Sequence, residues 1–333
     1  MVIKMKHPVY VESYAAIGGK AEKEGPLGAF LDEIDESERF GQKTWEQAEG
    51  EMQRRALTVA MKKANVGDED VALLFAGDLM NQCTSSSYGL LSFEISQVGL
   101  YGACSTAAES AALAAMACDL TKATCAAVTS SHFCSAERQF RFPLEYGGQK
   151  SPTAQRTVTG AGACVIGQKP SKIRIREVLF GRSIDSKISD IGNMGAAMAP
   201  AAADTLTRFF TLTQTRPEDY TKIVTGDLGR EGYEILKIMM AQKELPIDDV
   251  YDDCGLLVYH AELQDMHAGG SGCGCSAVVA ATKLFRDMEE GVIDDLLFIG
   301  TGALMSPTSV QQGLSIPGVA HLVHFVKECE SYG

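Results

Sequence analysis

One cysteine stands where a short apolar segment turns into an alanine-rich run. Residues 102–106 read Gly-Ala-Cys-Ser-Thr, and Glu109 is the only charged residue between 103 and 118. Alanine is the best helix former, and a helix that is apolar on nearly every side is buried. The pattern therefore predicts a buried helix that begins near Ser105, with Cys104 on the strand-to-helix turn at its N-terminus.

Two kinds of role are open to a cysteine at such a turn. Free backbone N–H groups at a helix N-terminus bind an anion or stabilise a thiolate. Cys104 is therefore a candidate nucleophile or anion-site residue. Free cysteine is also among the most buried residue types, so a structural cysteine remains the alternative from this stretch alone.

Other motifs predict neither a metal site nor a cofactor. Cys273 and Cys275 have no second Cys or His pair at zinc spacing, which favours a close backbone turn before a helix. His321 and His324 would share a face only on a helix, but their apolar neighbours predict a strand. The glycines of 160–162 lie within a predicted strand and lack the helix of a dinucleotide site.

Composition narrows the class of protein. The 333 residues are 45% hydrophobic and carry a formal net charge of -13. That charge disfavours nucleic acid and non-specific binding to an anionic membrane surface. The ten cysteines lie mostly among apolar or small residues, which suits a reducing compartment. The sequence shows no secretory signal pattern and no run of 18 apolar residues.

The elements that would position Cys104 follow from periodicity and from buried apolar runs. Residues 18–43, rich in glycine and charge, are expected to form a solvated surface loop. Helices are predicted over 44–64, with Thr44 in a capping box, over 201–213, and from the 269–276 turn through Met288. Strands are predicted over 8–17, 71–76, 124–129, 157–167, 172–180, 222–225, 296–300 and 318–326.

The two halves of the chain repeat one pattern. Gly-Asp-Leu follows a buried strand at 77–79 and again at 226–228, and each unit leads to a Gly-Cys-rich turn and a buried helix. This repetition indicates an internal duplication, and no polar linker separates the halves. We therefore expect one compact α/β unit, with an N-terminal half over 1–168 that carries Cys104 and a C-terminal half over 169–333.

The duplicated half with its helix-start cysteine resembles the thiolase and ketoacyl-synthase fold, which is five-layered (αβαβα). Longer motifs resemble the stage V sporulation protein AD family of spore-forming Firmicutes, and they cover nearly the whole chain. They are 23–28 (KEGPLG), 76–79 (AGDL), 102–106 (GACST), 130–132 (SSH), 136–141 (AERQFR), 145–150 (EYGGQK), 197–204 (AMAPAAAD), 253–255 (DCG), 269–276 and 301–304 (TGAL).

The resemblance implies a thiolase-like homodimer that binds dipicolinic acid (pyridine-2,6-dicarboxylate) or its calcium chelate. Such a protein supports uptake of that compound into the developing spore, and its release at germination, with other proteins of the spore dipicolinate channel. It also implies a peripheral location at the forespore or spore inner membrane. We expect no transmembrane segment, no nucleic-acid partner, and solubility when the chain is expressed alone.

The same resemblance argues against thiolase-type catalysis, because residues that thiolases need are missing here. Thiolases carry a Gly-His-Pro histidine before the second buried helix, but here residues 269–272 contain none. The late Cys-x-Gly segment of thiolases falls near 300–302, which lacks a cysteine. A positioned base contributes about 10²–10⁴ in rate. Cys104 is therefore expected to be a relic nucleophile, with two alternatives: an acyl-thioester condensing enzyme or acyltransferase that uses Cys104, and a channel scaffold without ligand.

A dicarboxylate ligand favours cationic and aromatic partners. The densest basic group lies in an aromatic-rich stretch that we expect to be irregular: Arg138, Arg141, Lys150 and Arg156. The alternative is a dimer-facing loop region whose charges form surface pairs. The predicted ligand-binding residues are Cys104, Ser105, Thr106, His132, Arg138, Arg141, Lys150 and Ser271.

Overall fold

The computed structural model describes residues 1–140 and 151–328. Its strands are β1 Ile3–Gly18, β2 Glu33–Ile34, β3 Val71–Gly77, β4 Gln97–Leu100, β5 Thr124–Ser131, β6 Arg156–Thr157, β7 Gly160–Gly167, β8 Ile173–Leu179, β9 Lys222–Thr225, β10 Tyr251–Asp253, β11 Gly270–Ser271, β12 Asp295–Ala303 and β13 Gly318–Lys327. Its helices are α1 Lys20–Lys23, α2 Trp45–Ala64, α3 Thr84–Gly89, α4 Thr106–Thr121, α5 Phe133–Phe140, α6 Met194–Thr213, α7 Gly229–Ala241, α8 Cys254–Leu257, α9 Cys273–Val279, α10 Phe285–Glu290 and α11 Pro307–Gln311. A π-helical turn, Ala280–Leu284, joins α9 to α10.

Two five-stranded groups have the same order and the same strand directions. The first runs β4-β3-β5-β7-β1 and the second β10-β9-β12-β13-β8. In each group the first three strands are parallel and the last two pair antiparallel. An antiparallel pairing of β1 with β8 joins the groups edge to edge. The boundary predicted at 168/169 stays a prediction, and it falls between β7 and β8.

The helices form three layers around these strands. α4 packs between the two groups, against β3 and β5 on one side and β12 and β13 on the other, and α9 lies beside it. α2 covers the outer face of the first group, and α6 and α7 cover that of the second. The five-layered arrangement thus follows from the sequence pattern, since α4 is apolar all round and is buried along most of its length.

Most predicted elements are confirmed to within a few residues. The Thr44 cap of α2 accepts a hydrogen bond from Gln47 N at 3.3 Å, and the strand over 222–225 has the predicted bounds. The prediction of a solvated loop over 18–43 is wrong in part. Glu22 and Phe40 are buried there. Tyr259 of the second half donates to the Glu22 carboxylate, and Phe40 packs in a first-half core cluster with Ile17 and Met52.

Three further expectations are corrected. The aromatic-rich stretch after His132 is helical over Phe133–Phe140, because its apolar and charged residues alternate at helical spacing. α6 begins at Met194 and continues through Pro200. The strand predicted over 157–167 starts at Gly160. The residues before it form β6, which pairs with β11 and so fixes the position of Ser271.

Candidate functional site

The turn that carries Cys104 is held by its own hydroxyl groups. A 3-10 turn, Ala103–Ser105, precedes α4, and Ala103 has a left-handed φ of 51°. That region is strained for a residue with a Cβ. Ser105 Oγ donates to Gly102 O at 2.6 Å, and Thr106 Oγ1 donates to Ala103 O at 2.7 Å. Both side chains are fully buried, so their predicted contact with a ligand stays a prediction.

Strand β12 of the second half packs directly against this turn. A Cβ at Gly302 would lie 2.4 Å from Gly102 O, and one at Gly300 would lie 2.9 Å from Ser105 O. β12 therefore needs glycine at both positions to approach the turn this closely. The segment 300–302, which corresponds in sequence to the late Cys-x-Gly segment of thiolases, consequently lies beside Cys104.

The walls around Cys104 are apolar on one side. Cys104 is 6% exposed and packs in a cluster with Leu79, Met80, Ala136 and Cys273. Phe140 at the end of α5 packs against the same cluster. These side chains come from both halves of the chain, so the site lies at the junction between them.

A chain of polar groups forms the other side. Cys104 Sγ lies 3.9 Å from Ser271 Oγ, and Ser271 Oγ donates to Asp227 Oδ2 at 3.0 Å. Asp227 also accepts from Gly272 N at 2.8 Å and from Thr301 Oγ1 at 2.8 Å. A thiol, a hydroxyl and a fully buried carboxyl group thus follow one another at the junction.

The electrostatics of this chain keep the thiol neutral. Burial, and then the charge and hydrogen bond of Asp227, raise the pKa of Cys104 well above its usual range, against smaller effects of Ser271 and Gly272 that lower it. Burial raises the pKa of Asp227 to about 7. At neutral pH Cys104 is therefore a hydrogen-bonding S–H group rather than a thiolate.

Comparison with known proteins assigns the chain to a protein family. The family model for stage V sporulation protein AD (SpoVAD) matches residues 1–326. The chain belongs to the stage V sporulation protein AD family. It is 44% identical over 321 residues to stage V sporulation protein AD of Bacillus subtilis (strain 168), covering 96% of this chain and 95% of that protein.

Solved structures similar to this SpoVAD family member confirm the predicted thiolase-like fold. An OleA variant from Xanthomonas campestris superposes with a TM-score of 0.62 at 14% identity, over 97% of this chain and 99% of that chain. 3-Oxoacyl-[acyl-carrier-protein] synthase III from Aquifex aeolicus VF5 gives a TM-score of 0.55 at 14% identity, over 96% and 99%. At this identity the likeness concerns the fold alone.

Both ring nitrogens of His132, a predicted ligand residue, have hydrogen-bond partners. Nε2 lies 2.8 Å from Glu38 O, and Nδ1 accepts from Cys134 N at 3.1 Å. Burial lowers the pKa of His132, so the ring is neutral and joins the 18–43 segment to α5. Its predicted contact with a ligand is not tested by these bonds and stays a prediction.

Of the four predicted basic residues, Arg138 and Arg156 are described by the structure. Arg138 has a side chain that is 59% exposed, and it pairs with Glu46 of α2. Arg156 lies over the Phe133 ring at 3.9 Å. Arg141 and Lys150 lie outside the described residues. Ser271 is brought to Cys104, whereas Arg138 forms a surface ion pair.

Sequence reasoning missed Asp227 and Thr301 as site residues. The signal for Asp227 was its place in the repeated Gly-Asp-Leu motif, whose first copy contains Asp78. Asp78 is also fully buried, and it accepts hydrogen bonds from Ser86 Oγ at 2.6 Å and Met80 N at 2.7 Å. The motif therefore places one buried carboxyl group at the end of the second strand in each group.

Within the described ranges, no helix has the length and apolar character needed to cross a membrane.

His321 and His324 lie on β13, as the sequence predicts. His324 is buried between two carboxylates, with Nδ1 3.1 Å from Glu177 and Nε2 2.5 Å from Asp295. These two histidines belong to the second-half core rather than to the Cys104 site.

Proposed function

We propose that this protein is a non-catalytic binder of dipicolinic acid or its calcium chelate. It holds the pyridine dicarboxylate in the pocket at Cys104 and supports uptake into the developing spore and release at germination. Its partners are the other proteins of the spore dipicolinate channel, at the forespore or spore inner membrane. The observation that carries the non-catalytic part is the neutral Cys104 thiol, which faces Ser271 and Asp227 instead of an imidazole.

Three features of the site support a planar anionic ligand. The α4 N-terminus favours an anion by about 0.3–1 kcal/mol, and by more where it is partly buried. Leu79, Met80 and Phe140 give an apolar wall for a ring. Cys104 and Ser271 add hydrogen-bonding groups at the base of that wall. An apolar wall with a few convergent polar groups is the composition that small-molecule sites have.

Isothermal titration calorimetry with pyridine-2,6-dicarboxylate tests this proposal. We expect saturable binding of one ligand per chain at pH 6.5. Benzene-1,3-dicarboxylate, which lacks the ring nitrogen, serves as the matched ligand and is expected to bind more weakly. Absence of heat under conditions that detect a Kd of about 1 mM, or -4.1 kcal/mol, would contradict the proposal and favour the scaffold.

One observation favours an acyl-transfer enzyme as the second candidate. Asp227 has a pKa raised to about 7, which is where a general base works best near neutral pH. Incubation with acyl-CoA thioesters, followed by mass spectrometry, separates the two functions. An acyl group on Cys104 that turns over would establish the enzyme, whereas an unmodified Cys104 supports the binder.

We also propose that a second copy of this chain covers the free edge of the first strand group. β4 is the terminal strand there, and its Val98 is 37% exposed. Tyr88 and Leu91, just before β4, are both more than 70% exposed. Free strand edges with exposed apolar side chains pair with another chain.

Sedimentation at micromolar concentration is expected to show a dimer that Val98→Lys disrupts, because the variant places a charge on the paired edge. Lys122→Ala, on an exposed helix end of the same half, is the matched control and should remain dimeric. A monomeric unmodified protein would contradict the homodimer.

A further inference from the structure

The carboxyl group of Asp227 is surrounded by neutral donors only. Its oxygens accept from Thr301 Oγ1, Ser271 Oγ and Gly272 N, and none of these groups carries a charge. Among residues 1–140 and 151–328, no ion pair includes Asp227. A buried carboxylate without a cation is costly, because hydrogen bonds alone replace only part of its hydration.

The other titratable groups that face Asp227 are acids or thiols. Asp253 at the end of β10 adds a second buried acidic group, and the Cys104 thiol of the α4 turn is connected to Asp227 through Ser271. Burial raises the pKa of the thiols Cys254, Cys273 and Cys275, and the charge of Asp227 adds to the effect. A ligand carboxylate placed next to Cys104 would therefore meet negative charge from Asp227.

Two carboxylates that share a dry site do not both remain ionised, and one of them takes a proton. We propose that a carboxylate ligand enters the Cys104 pocket together with one proton from solvent, which Asp227 takes up. This inference rests on the proposed function and adds its dependence on pH. No covalent bond forms or breaks: the ligand anion, one proton and ionised Asp227 give a complex with neutral Asp227.

Ser271 transmits the change to the ligand. A serine hydroxyl has one donor hydrogen and two acceptor lone pairs. While Asp227 is ionised, Ser271 Oγ donates its only hydrogen to Asp227 Oδ2, at 3.0 Å. Once Asp227 carries a proton, it can donate to Ser271 Oγ, and the Ser271 hydrogen is free to turn toward Cys104, 3.9 Å away. Proton uptake thus converts Ser271 into a donor at the place where the ligand carboxylate binds.

The pH range of the effect follows from the free protein. Burial raises the pKa of Asp227 to about 7, so the group is already protonated at pH 6 and ionised at pH 8. Ordinary carboxyl groups, and hence the ligand, stay ionised over this range. Affinity should therefore be nearly constant below pH 7 and should fall by up to about tenfold per pH unit above it.

Calorimetry of pyridine-2,6-dicarboxylate binding at pH 6 and pH 8, in two buffers of different ionisation enthalpy, measures the proton count. We expect uptake approaching one proton at pH 8 and near zero at pH 6. The neutral pyridine-2,6-dicarboxamide should show no uptake at either pH. Asp227→Asn should abolish uptake and make dicarboxylate affinity independent of pH.

Two variants keep the test decisive. Asp253→Asn is the matched control, because the Asp253 side chain accepts hydrogen bonds from Thr225, Leu228 and Gly229 rather than from Ser271, and uptake should persist. Ser271→Ala should weaken dicarboxylate binding more than dicarboxamide binding. Binding without uptake at pH 8, or uptake that persists in Asp227→Asn, overturns this inference alone. Absence of binding from pH 6 to pH 8 overturns the proposed function and this inference with it.

Discussion

Replacing Cys104 with phenylalanine is expected to reduce dipicolinate affinity by at least about 100-fold, which is about 2.7 kcal/mol. Cys104 is 6% exposed among Leu79, Met80, Ala136 and Cys273. A phenyl ring there must either occupy the space above Ser271 in which the ligand is proposed to bind or displace these close-packed neighbours. Titration calorimetry of the purified variant measures the loss.

A size series at Cys104 separates blocking from chemistry. Cys104→Ala should lose less than tenfold, because the backbone donors of the α4 turn remain, and Cys104→Val should fall between the two. Each variant's melting temperature controls for folding. If Cys104→Phe is folded and binds like the unmodified protein, the ligand lies elsewhere. A loss in Arg138→Ala that exceeds the loss in Cys104→Ala would identify Arg138 as a cationic partner despite its surface pair with Glu46.

Local patterns predicted the elements that carry the site. The β-branched residues of 222–225 (Lys-Ile-Val-Thr) and the Thr44 cap are local signals for their strand and helix. The alanine-rich run specifies α4, because no face of it could remain in water. The helix predicted over 201–213 starts seven residues earlier and continues through Pro200, although proline is unfavourable in a helix interior. The helix nevertheless begins at Met194, where Asn193 Oδ1 accepts from Ala196 N at 3.3 Å.

The contacts of the site could not be predicted in the same way. Asp227 meets Ser271 only because β9 ends beside β12 while β6 holds β11 in register. Those pairings join residues separated by more than 70 positions, and local periodicity carries no information about them. The repeated Gly-Asp-Leu motif indicated an internal duplication, and it did not indicate which groups Asp227 contacts. Likewise, nothing near Glu22 in the sequence indicates that Tyr259 would bury its carboxyl group.

Several buried carboxyl groups raise the question of how stability responds to pH. Burial raises the pKa of Glu22 to about 7, that of Asp227 to about 7 and that of Asp253 to about 6. Burial and the neighbouring Asp78 also raise the pKa of Glu49. Burial lowers the pKa of His324, but its bonds to Asp295 and Glu177 outweigh this and raise it overall.

All of these shifts act in one direction. Burial lowers the pKa of His321 to about 4 and also lowers that of His132, so these two histidines act in the opposite direction. The four carboxyl groups and His324 outnumber them, so between about pH 5 and pH 8 the folded protein binds more protons than the unfolded chain, whose carboxyl groups ionise near pH 4. Stability therefore falls as pH rises through this range. His324 has the same sign, because a histidine with a raised folded pKa stabilises at low pH and loses that contribution as pH rises. We expect the free energy of unfolding to be lower at pH 8 than at pH 5.5 by more than about 2 kcal/mol.

Thermal melting without ligand measures this difference, and about 2 kcal/mol lowers the melting temperature by about 3 °C in a chain of this length. Glu22→Gln provides the sharpest variant. Glu22 Oε1 accepts from Thr159 N at 3.0 Å, while Oε2 has no hydrogen-bond partner among the described residues and is buried near the Glu38 carboxylate. An amide nitrogen at the Oε2 position would carry no charge and could donate to Glu38. Glu22→Gln should therefore raise the melting temperature at pH 8 and leave it nearly unchanged at pH 5.5, whereas Glu262→Gln on the surface should change neither. A melting temperature that stays level from pH 5.5 to pH 8 would mean that these carboxyl groups are ionised in the folded protein. It would also contradict the inference that Asp227 is protonated at pH 6.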